Sequence, residues 1–343
     1  MRKLTELVRP NILNLSPYSS ARDDFKGKAS IWLDANENPF GELNRYPDPY
    51  QQELKKALAE YNGVDTTQLF IGNGSDEVID LLFRLFVKPG TDKVLTFSPT
   101  YGMYQVSAGI NDAEIIEVPL DDQFQLDLER TKPFLDDPNL KLIFICSPNN
   151  PTGNLMSPGS VETLLKEFQG IVVIDEAYID FADAPSWNKR LAEFENLVIA
   201  QTFSKARGLA AARLGIAFAN EAIIELLNKI KPPYNVSTLN QAAGFRSMKN
   251  QRELELQIQR IQSERTRLMR ELKLLSKVQR VFPTDANFIL IEMENASHIY
   301  RELTNKGIII RNRSKLIPNT LRISIGTSTE NNLLLTALTQ LDI

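Results

Sequence analysis

The sequence predicts an α/β protein: a mainly parallel central sheet flanked by helices, plus a smaller C-terminal α/β unit. Three observations carry this. Short, apolar, β-rich runs alternate with helical segments from about residue 50. A long amphipathic stretch then breaks the alternation near residue 247. A second, shorter alternation follows it to the end of the chain.

Residues 1–40 are irregular, because Pro10, Pro17 and Pro39 interrupt any regular element. They are expected to pack on a domain or between domains. Residues 41–246 hold the main alternation. "QLFIG" precedes the helical "SDEVIDLLFRLFV", and "DKVLTF" precedes "SPTYGMYQVSAG". "EIIEVPL", "KLIFIC", "GIVVID" and "NLVIAQTF" follow. Runs this apolar suit strands covered on both faces, and helical connections imply right-handed crossovers between parallel strands. In residues 247–343, Leu254, Ile258, Ile261, Leu268, Leu272 and Leu275 recur at steps of three and four. They predict one linking helix over about 247–277, with Arg265 breaking its apolar row. "ANFILIEM", "GIIIRN", "TLRISIG" and a final helix, "TENNLLLTALTQL", complete the small unit.

Composition excludes several functions. The net charge of -4 over 343 residues argues against a general nucleic-acid binder, which needs a basic face. No apolar run reaches the ~18 residues of a membrane span, and the first residues are too polar for a signal peptide. One cysteine, Cys146, forms no intrachain disulfide, which fits a reducing, cytoplasmic setting. With one cysteine and one histidine, no zinc site is expected, nor any other metal. His298 reads as a residue of a surface helix.

Open parallel sheets bind ligands at the carboxyl ends of their strands. Here those ends carry "GNGSDE", "SPTYGMY", "SPNNPTG", "DEAY" and "SKARGLAAAR". Gly72 and Gly74 permit close backbone approach, and the helix that follows offers N–H groups to an anion such as phosphate. A plain strand-to-helix turn capped by Ser75 fits the same residues. Neither a dinucleotide fingerprint nor a P-loop is present. Asp175, after four apolar residues, needs a partner at that depth. A protonated ring nitrogen would serve, as would a helix cap or an ion pair. Lys205 reads either as a solvated surface lysine or as a partly dehydrated amine able to form a Schiff base. Arg213 reads as a bidentate phosphate donor or as half of a salt bridge. Taken together, an anion cradle, a buried carboxylate and an activated lysine match the needs of pyridoxal phosphate.

The residues also resemble a family. "RPNI", "PYSSAR", "LDANENPFG", "RYPDPY", "GNGSDE", "PTYGMY", "SPNNPTG", "DEAY", "SKARGLAAAR" and "LRISIGT" span nearly the whole chain. The sequence resembles the fold-type I pyridoxal-phosphate aminotransferases and, among them, the histidinol-phosphate aminotransferases. The resemblance implies transamination between histidinol phosphate and 2-oxoglutarate in histidine biosynthesis, with imidazole acetol phosphate and glutamate as the other pair. It implies that Lys205 bonds the cofactor and Asp175 pairs with its ring nitrogen. Asn150 and Tyr178 would hydrogen-bond the ring hydroxyl, and Tyr101 would stack on the ring. Gly74, Ser75, Ser204 and Arg213 would hold the phosphate. Tyr46 would reach the neighbouring subunit's phosphate, which implies a homodimer. Tyr18, Asn36, Arg311 and Arg322 would bind substrate. The family's usual second glycine before the phosphate arginine is absent from "AAAR"; alanine is small, so the geometry is expected to survive. The rival readings are a broad aromatic aminotransferase, a threonine-phosphate decarboxylase-like enzyme, a cofactor-binding regulator and a non-catalytic scaffold.

Overall fold

A computed structural model describes residues 2–18, 25, 27 and 29–341. Part of the N-terminal motif, residues 19–22, lies outside the described residues. The large sheet is formed by β1 (Leu69–Asn73), β2 (Lys93–Ser98), β3 (Glu114–Pro119), β4 (Leu140–Cys146), β5 (Ile171–Asp175), β6 (Leu197–Thr202) and β7 (Leu214–Ala219). Its order is β1-β7-β6-β5-β4-β2-β3. The β6-β5-β4-β2-β3 run is parallel, and β7 is antiparallel to both its neighbours.

Both faces of this sheet are covered, and the residues show why. Along β5, Val172 and Ile174 enter one apolar cluster while Ile171 and Val173 enter the other. Strand β4 splits the same way, with Ile143 and Ile145 on one side and Leu142, Phe144 and Cys146 on the other. Successive side chains point to opposite faces, so an unbroken apolar run is what a doubly covered strand requires. The helices that cover the sheet include α1 (Gln52–Asn62), α2 (Ser75–Phe86), α3 (Met103–Ile110), α4 (Pro158–Glu167) and α5 (Glu221–Ile230). Helix α2 buries Val78, Leu82, Leu85 and Phe86 against the sheet.

Strand β7 is not signalled by the alternation, because no helix separates it from β6. The chain instead turns back through Phe203–Arg213, and Phe203 N–H donates to Leu214 O at 2.9 Å. That direct return makes β7 antiparallel. It also brings Gly215 against the start of α2, where a Cβ would lie 2.2 Å from Gly74 C and Ser75 N.

The helix expected over about 247–277 is chiefly α7 (Gln251–Leu272), which follows a separate helix, α6 (Thr238–Lys249), and ends before Leu275. Asn250, at φ -107° and ψ 42°, leaves helical geometry between them. The apolar residues from Leu254 to Leu272 that define the expected helix all lie in α7, and the two helices bury residues against different neighbours. Gly244 of α6 sits over Leu54 and Leu214 of the large unit, whereas Leu268 and Leu272 of α7 join the core of the small one. Arg265 interrupts the row for a reason: its guanidinium donates to Phe181 O at 3.2 Å and Ala286 O at 2.9 Å, joining the two units.

The second sheet has β8 (Val278–Val281), β9 (Phe288–Met293), β10 (Arg311–Asn312) and β11 (Thr320–Ser324) in the order β10-β11-β9-β8. It is antiparallel throughout. Helices α8 (Ala296–Asn305) and α9 (Ser328–Leu341) complete this unit. Leu321 and Ile323 point into its core, which turns Arg322 to the other face. No helix among the described residues is long and apolar enough to cross a membrane.

Gly215→Ala is expected to force β7 away from the Gly74–Ser75 backbone. A fall in stability of about 1–3 kcal/mol, the usual cost of overpacking, should appear as a lower urea midpoint.

Candidate active site

A cavity of about 170 Å³ opens where the carboxyl ends of β4, β5 and β6 meet the start of α2. Ser75, Tyr101, Asn150, Asp175, Tyr178, Ser204, Lys205 and Arg213, scattered over 139 positions of sequence, all line it. Their convergence follows from the parallel order of β4, β5 and β6, which puts each strand's last residue at one edge.

Asp175 is the last residue of β5 and is only 3% exposed. Its Oδ2 accepts from the Tyr104 hydroxyl at 2.7 Å and its Oδ1 from Ala177 N–H at 3.1 Å. Burial raises its pKa above the usual carboxylate range; the two hydrogen bonds oppose this, as does the Lys205 cation more weakly. A carboxylate held so deep, and aimed into a cavity, fits a cationic N–H group.

Lys205 follows β6 in a turn closed by Gly208 N–H to Lys205 O at 3.1 Å and Leu209 N–H to Phe203 O at 3.0 Å. Phe203 is fully buried and anchors the turn. The lysine side chain opens into the cleft, its amine 5.6 Å from the centre of the Tyr178 ring. Desolvation within the cleft lowers its pKa, and the Arg322 cation lowers it further, against the pull of Asp175 and Asp76. A larger fraction of the amine is therefore neutral and nucleophilic than in a free lysine.

Three elements build an anion cradle on the cavity's other side. Gly74, at φ 82°, precedes α2, whose first turn has no side-chain cap. A Cβ on Gly74 would stand 2.7 Å from Arg213 Nη2. Arg213 Nη1 donates to Ser204 Oγ at 3.4 Å, and Nη2 pairs with Asp76 Oδ2 at 3.2 Å. The three alanines form a 3-10 turn before Arg213, which takes the left-handed conformation at φ 49° and ψ 55°. Missing its second glycine, the loop still brings this guanidinium to the cradle.

Asn150 Oδ1 accepts from Arg322 Nη1 at 2.5 Å, so the small sheet reaches the cavity rim. Arg322 Cζ lies 5.1 Å from the Phe288 ring, which meets Tyr178 edge-on at 5.1 Å. Arg311 stands opposite Arg322 in the β10–β11 register. The Arg322 Nε is buried without a hydrogen-bond partner among the described residues.

Tyr46, Asn36 and Tyr18 stand outside this cavity. Tyr46 stacks on Tyr234, with ring centres 4.4 Å apart, and lines a separate surface pocket with Asn36. Tyr18 is 70% exposed. His298 lies on the exposed side of α8. Among the described residues, no group of three His, Cys, Asp or Glu side chains could hold a metal ion.

The structure adds residues that sequence reasoning did not single out. Tyr104, in the first turn of α3, orients Asp175. Asp76, inside "GNGSDE", accepts from the Tyr101 hydroxyl at 3.4 Å and from Arg213. Cys146 lines the cavity, but burial pushes its thiol pKa up and keeps it protonated. Glu176, beside Asp175 in sequence, turns away from the cavity. It is held by Ser186, Trp187 N–H and Gln201, and burial raises its pKa to about 7.

A family model for class I and II aminotransferases matches residues 11–338. The chain is 50% identical to the histidinol-phosphate aminotransferase of Parabacteroides distasonis, over 98% of this chain and 99% of that protein. Among solved structures, it resembles the histidinol-phosphate aminotransferase from Clostridium acetobutylicum, with a TM-score of 0.81 and 26% identity over 88% of this chain and 91% of that one. It also resembles the histidinol-phosphate aminotransferase from Sinorhizobium meliloti in complex with pyridoxal-5'-phosphate. The TM-score is 0.80 and identity 27%, covering 90% of this chain and 89% of that one. The fold, the lysine–aspartate cavity and these likenesses lead to one placement: the chain belongs to the class I and II aminotransferases, in the histidinol-phosphate aminotransferase family.

Proposed function

We propose that this chain moves the amino group of histidinol phosphate to 2-oxoglutarate in histidine biosynthesis, using pyridoxal phosphate held at Lys205. One observation carries the reading: a nucleophilic lysine, a buried carboxylate and an anion cradle face one another across a single cavity. A relative half-identical over almost the full chain bears the histidinol-phosphate name. That favours this substrate over those of a broad aromatic aminotransferase or a threonine-phosphate decarboxylase.

The fit of the cofactor rests on Asp175, whose buried carboxylate calls for a cation, and on the cradle of Gly74, Ser75, Ser204 and Arg213. When bound, pyridoxal phosphate supplies an aldehyde to carry the amino group and a protonated ring to withdraw electrons from the substrate's Cα–H bond. Asp175, aligned by the Tyr104 hydroxyl, would pair with the protonated ring nitrogen. Asn150 and Tyr178 would offer hydrogen bonds to the ring oxygen, and Tyr101 would lie against the ring. Lys205 Nζ, within the cavity, is the group placed to take the proton from the substrate's Cα and to give it back. Its lowered pKa makes the neutral, proton-accepting form available nearer neutral pH. Arg311 and Arg322 receive the substrate's anionic end, phosphate in one half-reaction and carboxylate in the other.

The same proposal includes a homodimer in the cytoplasm. Leu33, Phe40 and Leu43 are 90%, 82% and 66% exposed, and Leu43 lines the same surface pocket as Tyr46, which offers apolar surface suited to a second copy. Tyr46 would there reach the neighbour's cradle, with Asn36 and Tyr18 at the substrate entrance. Residues 1–40, 41–246 and 247–343 are taken as the N-terminal segment, the cofactor domain and the linking helix with the small domain.

Lys205→Ala is expected to abolish amino transfer, which normally appears as a change in cofactor absorbance when histidinol phosphate is added. Normal turnover in that variant would remove Lys205 from its role. Tyr104→Phe deletes a donor that favours charged Asp175, so the Asp175 pKa rises further. Protonation then occurs at a higher pH. The variant should release cofactor at a higher pH than wild type during dialysis, and bind it about 10- to 100-fold more weakly at neutral pH. Identical retention curves would show that Tyr104 does not act through Asp175.

A further inference from the structure

We propose that Arg313 is a third guanidinium of the substrate-anion subsite, and that it makes this subsite select a phosphate monoester over a carboxylate. The inference rests on the proposed function, since it concerns how the amino donor is told apart from the amino acceptor.

The placement follows from strand geometry. Arg311 pairs with Arg322 across β10 and β11, and the ladder continues through Arg313 N–H to Thr320 O at 2.9 Å. Residues two apart share a face, so Arg311 and Arg313 project to the same side as Arg322. Arg322 already touches Asn150 on the rim of the Lys205 cavity. Arg313 therefore stands one residue pair further along the same face.

Among the described residues, none supplies Arg313 a counter-ion. The Nε atoms of Arg313 and Arg322 are both buried and have no hydrogen-bond partner among the described residues. The charges acting on Arg313 are the Arg322 and Arg311 cations and the Tyr178 hydroxyl; those acting on Arg322 are Tyr178 and Arg311. No carboxylate is among them. Burial and this like-charge crowding push the Arg313 pKa down. Three guanidiniums gathered without an anion repel one another and leave donors unmet, an arrangement that a multiply charged ligand relieves.

The chemistry of the two half-substrates decides which ligand that is. A carboxylate has two oxygens and one charge, and one or two guanidiniums saturate it. A phosphate monoester has three terminal oxygens and a charge near -2 at neutral pH, so it can engage a third donor fork. Arg313 then strengthens binding of histidinol phosphate while adding little for 2-oxoglutarate.

The test compares cofactor-loaded wild type with Arg313→Gln, using histidinol phosphate or phosphate-free histidinol as donor and 2-oxoglutarate as acceptor. For histidinol phosphate, KM should rise about 10- to 100-fold in the variant, the range for a lost charge-assisted hydrogen bond, with little change in kcat. The KM for 2-oxoglutarate and the kcat/KM for histidinol should move far less. Inorganic phosphate, as a competitive inhibitor against histidinol, should weaken in parallel. If Arg313→Gln does not fold, Arg313→Lys supports the same comparison, with a smaller but still phosphate-selective rise because ammonium keeps the charge and loses the fork. An unchanged KM for histidinol phosphate, or equal losses with both donors, would overturn the inference and leave the proposed function standing. A wild-type enzyme unable to convert histidinol phosphate would overturn the proposed function first.

Discussion

The site depends on a carboxylate buried at the end of a central strand. Asp175 would be costly where it lies unless something compensates its charge, because an ion removed from water loses solvation that a few hydrogen bonds restore only in part. The surrounding structure holds it in place. Phe83 stacks on Phe144 at 5.5 Å, Phe144 on Tyr104 at 4.8 Å, and the Tyr104 hydroxyl ends the series on Asp175. All three aromatic side chains are fully buried or nearly so. The orientation of one carboxylate is thus fixed by the packing of α2, β4 and α3. A ligand bringing a cationic N–H to that point completes an ion pair whose protein half is already immobile.

Around this acid the charges are separated by location. Lys205 occupies the turn after β6, and Arg213 the end of the same loop. The N-terminus of α2 adds its partial positive charge beside Arg213. A ligand acidic at one end and cationic at the other meets complementary groups at both ends. Glu176 shows how narrow the distinction is. It adjoins Asp175 in sequence, yet alternate strand geometry and three hydrogen bonds turn it into a structural group behind the cavity.

The small sheet supplies the remaining cations. Arg322 crosses from β11 to Asn150, while Phe288 of β9 packs on Tyr178 of the large unit. Arg265 of α7 fastens the same two units through backbone carbonyls. Any anion bound at the arginines is consequently bound between units, and its recognition depends on how they are set against each other.

Much of this was legible in the residues. Apolar runs, their alternation with helices, and polar chemistry at each strand's carboxyl end determined the class of fold and the identity of Lys205, Asp175 and Arg213 as site candidates, while Asn150 came from the family resemblance. These signals are local, since each depends on a few neighbouring residues and on strand or helix periodicity. The helix before Asn250 was hidden, because it has little apolar face to announce it: of its residues only Gly244 and Met248 are buried. Strand β7 was hidden too, since a direct return carries no helix to announce it. Tyr104, Asp76 and Arg313 became visible only after folding: their importance lies in what they touch or fail to touch across long separations in the chain. The sequence by itself determined which chemical groups were available; tertiary structure decided which charges would face one another and which would lack a partner, because solvation and distance are properties of the packed molecule.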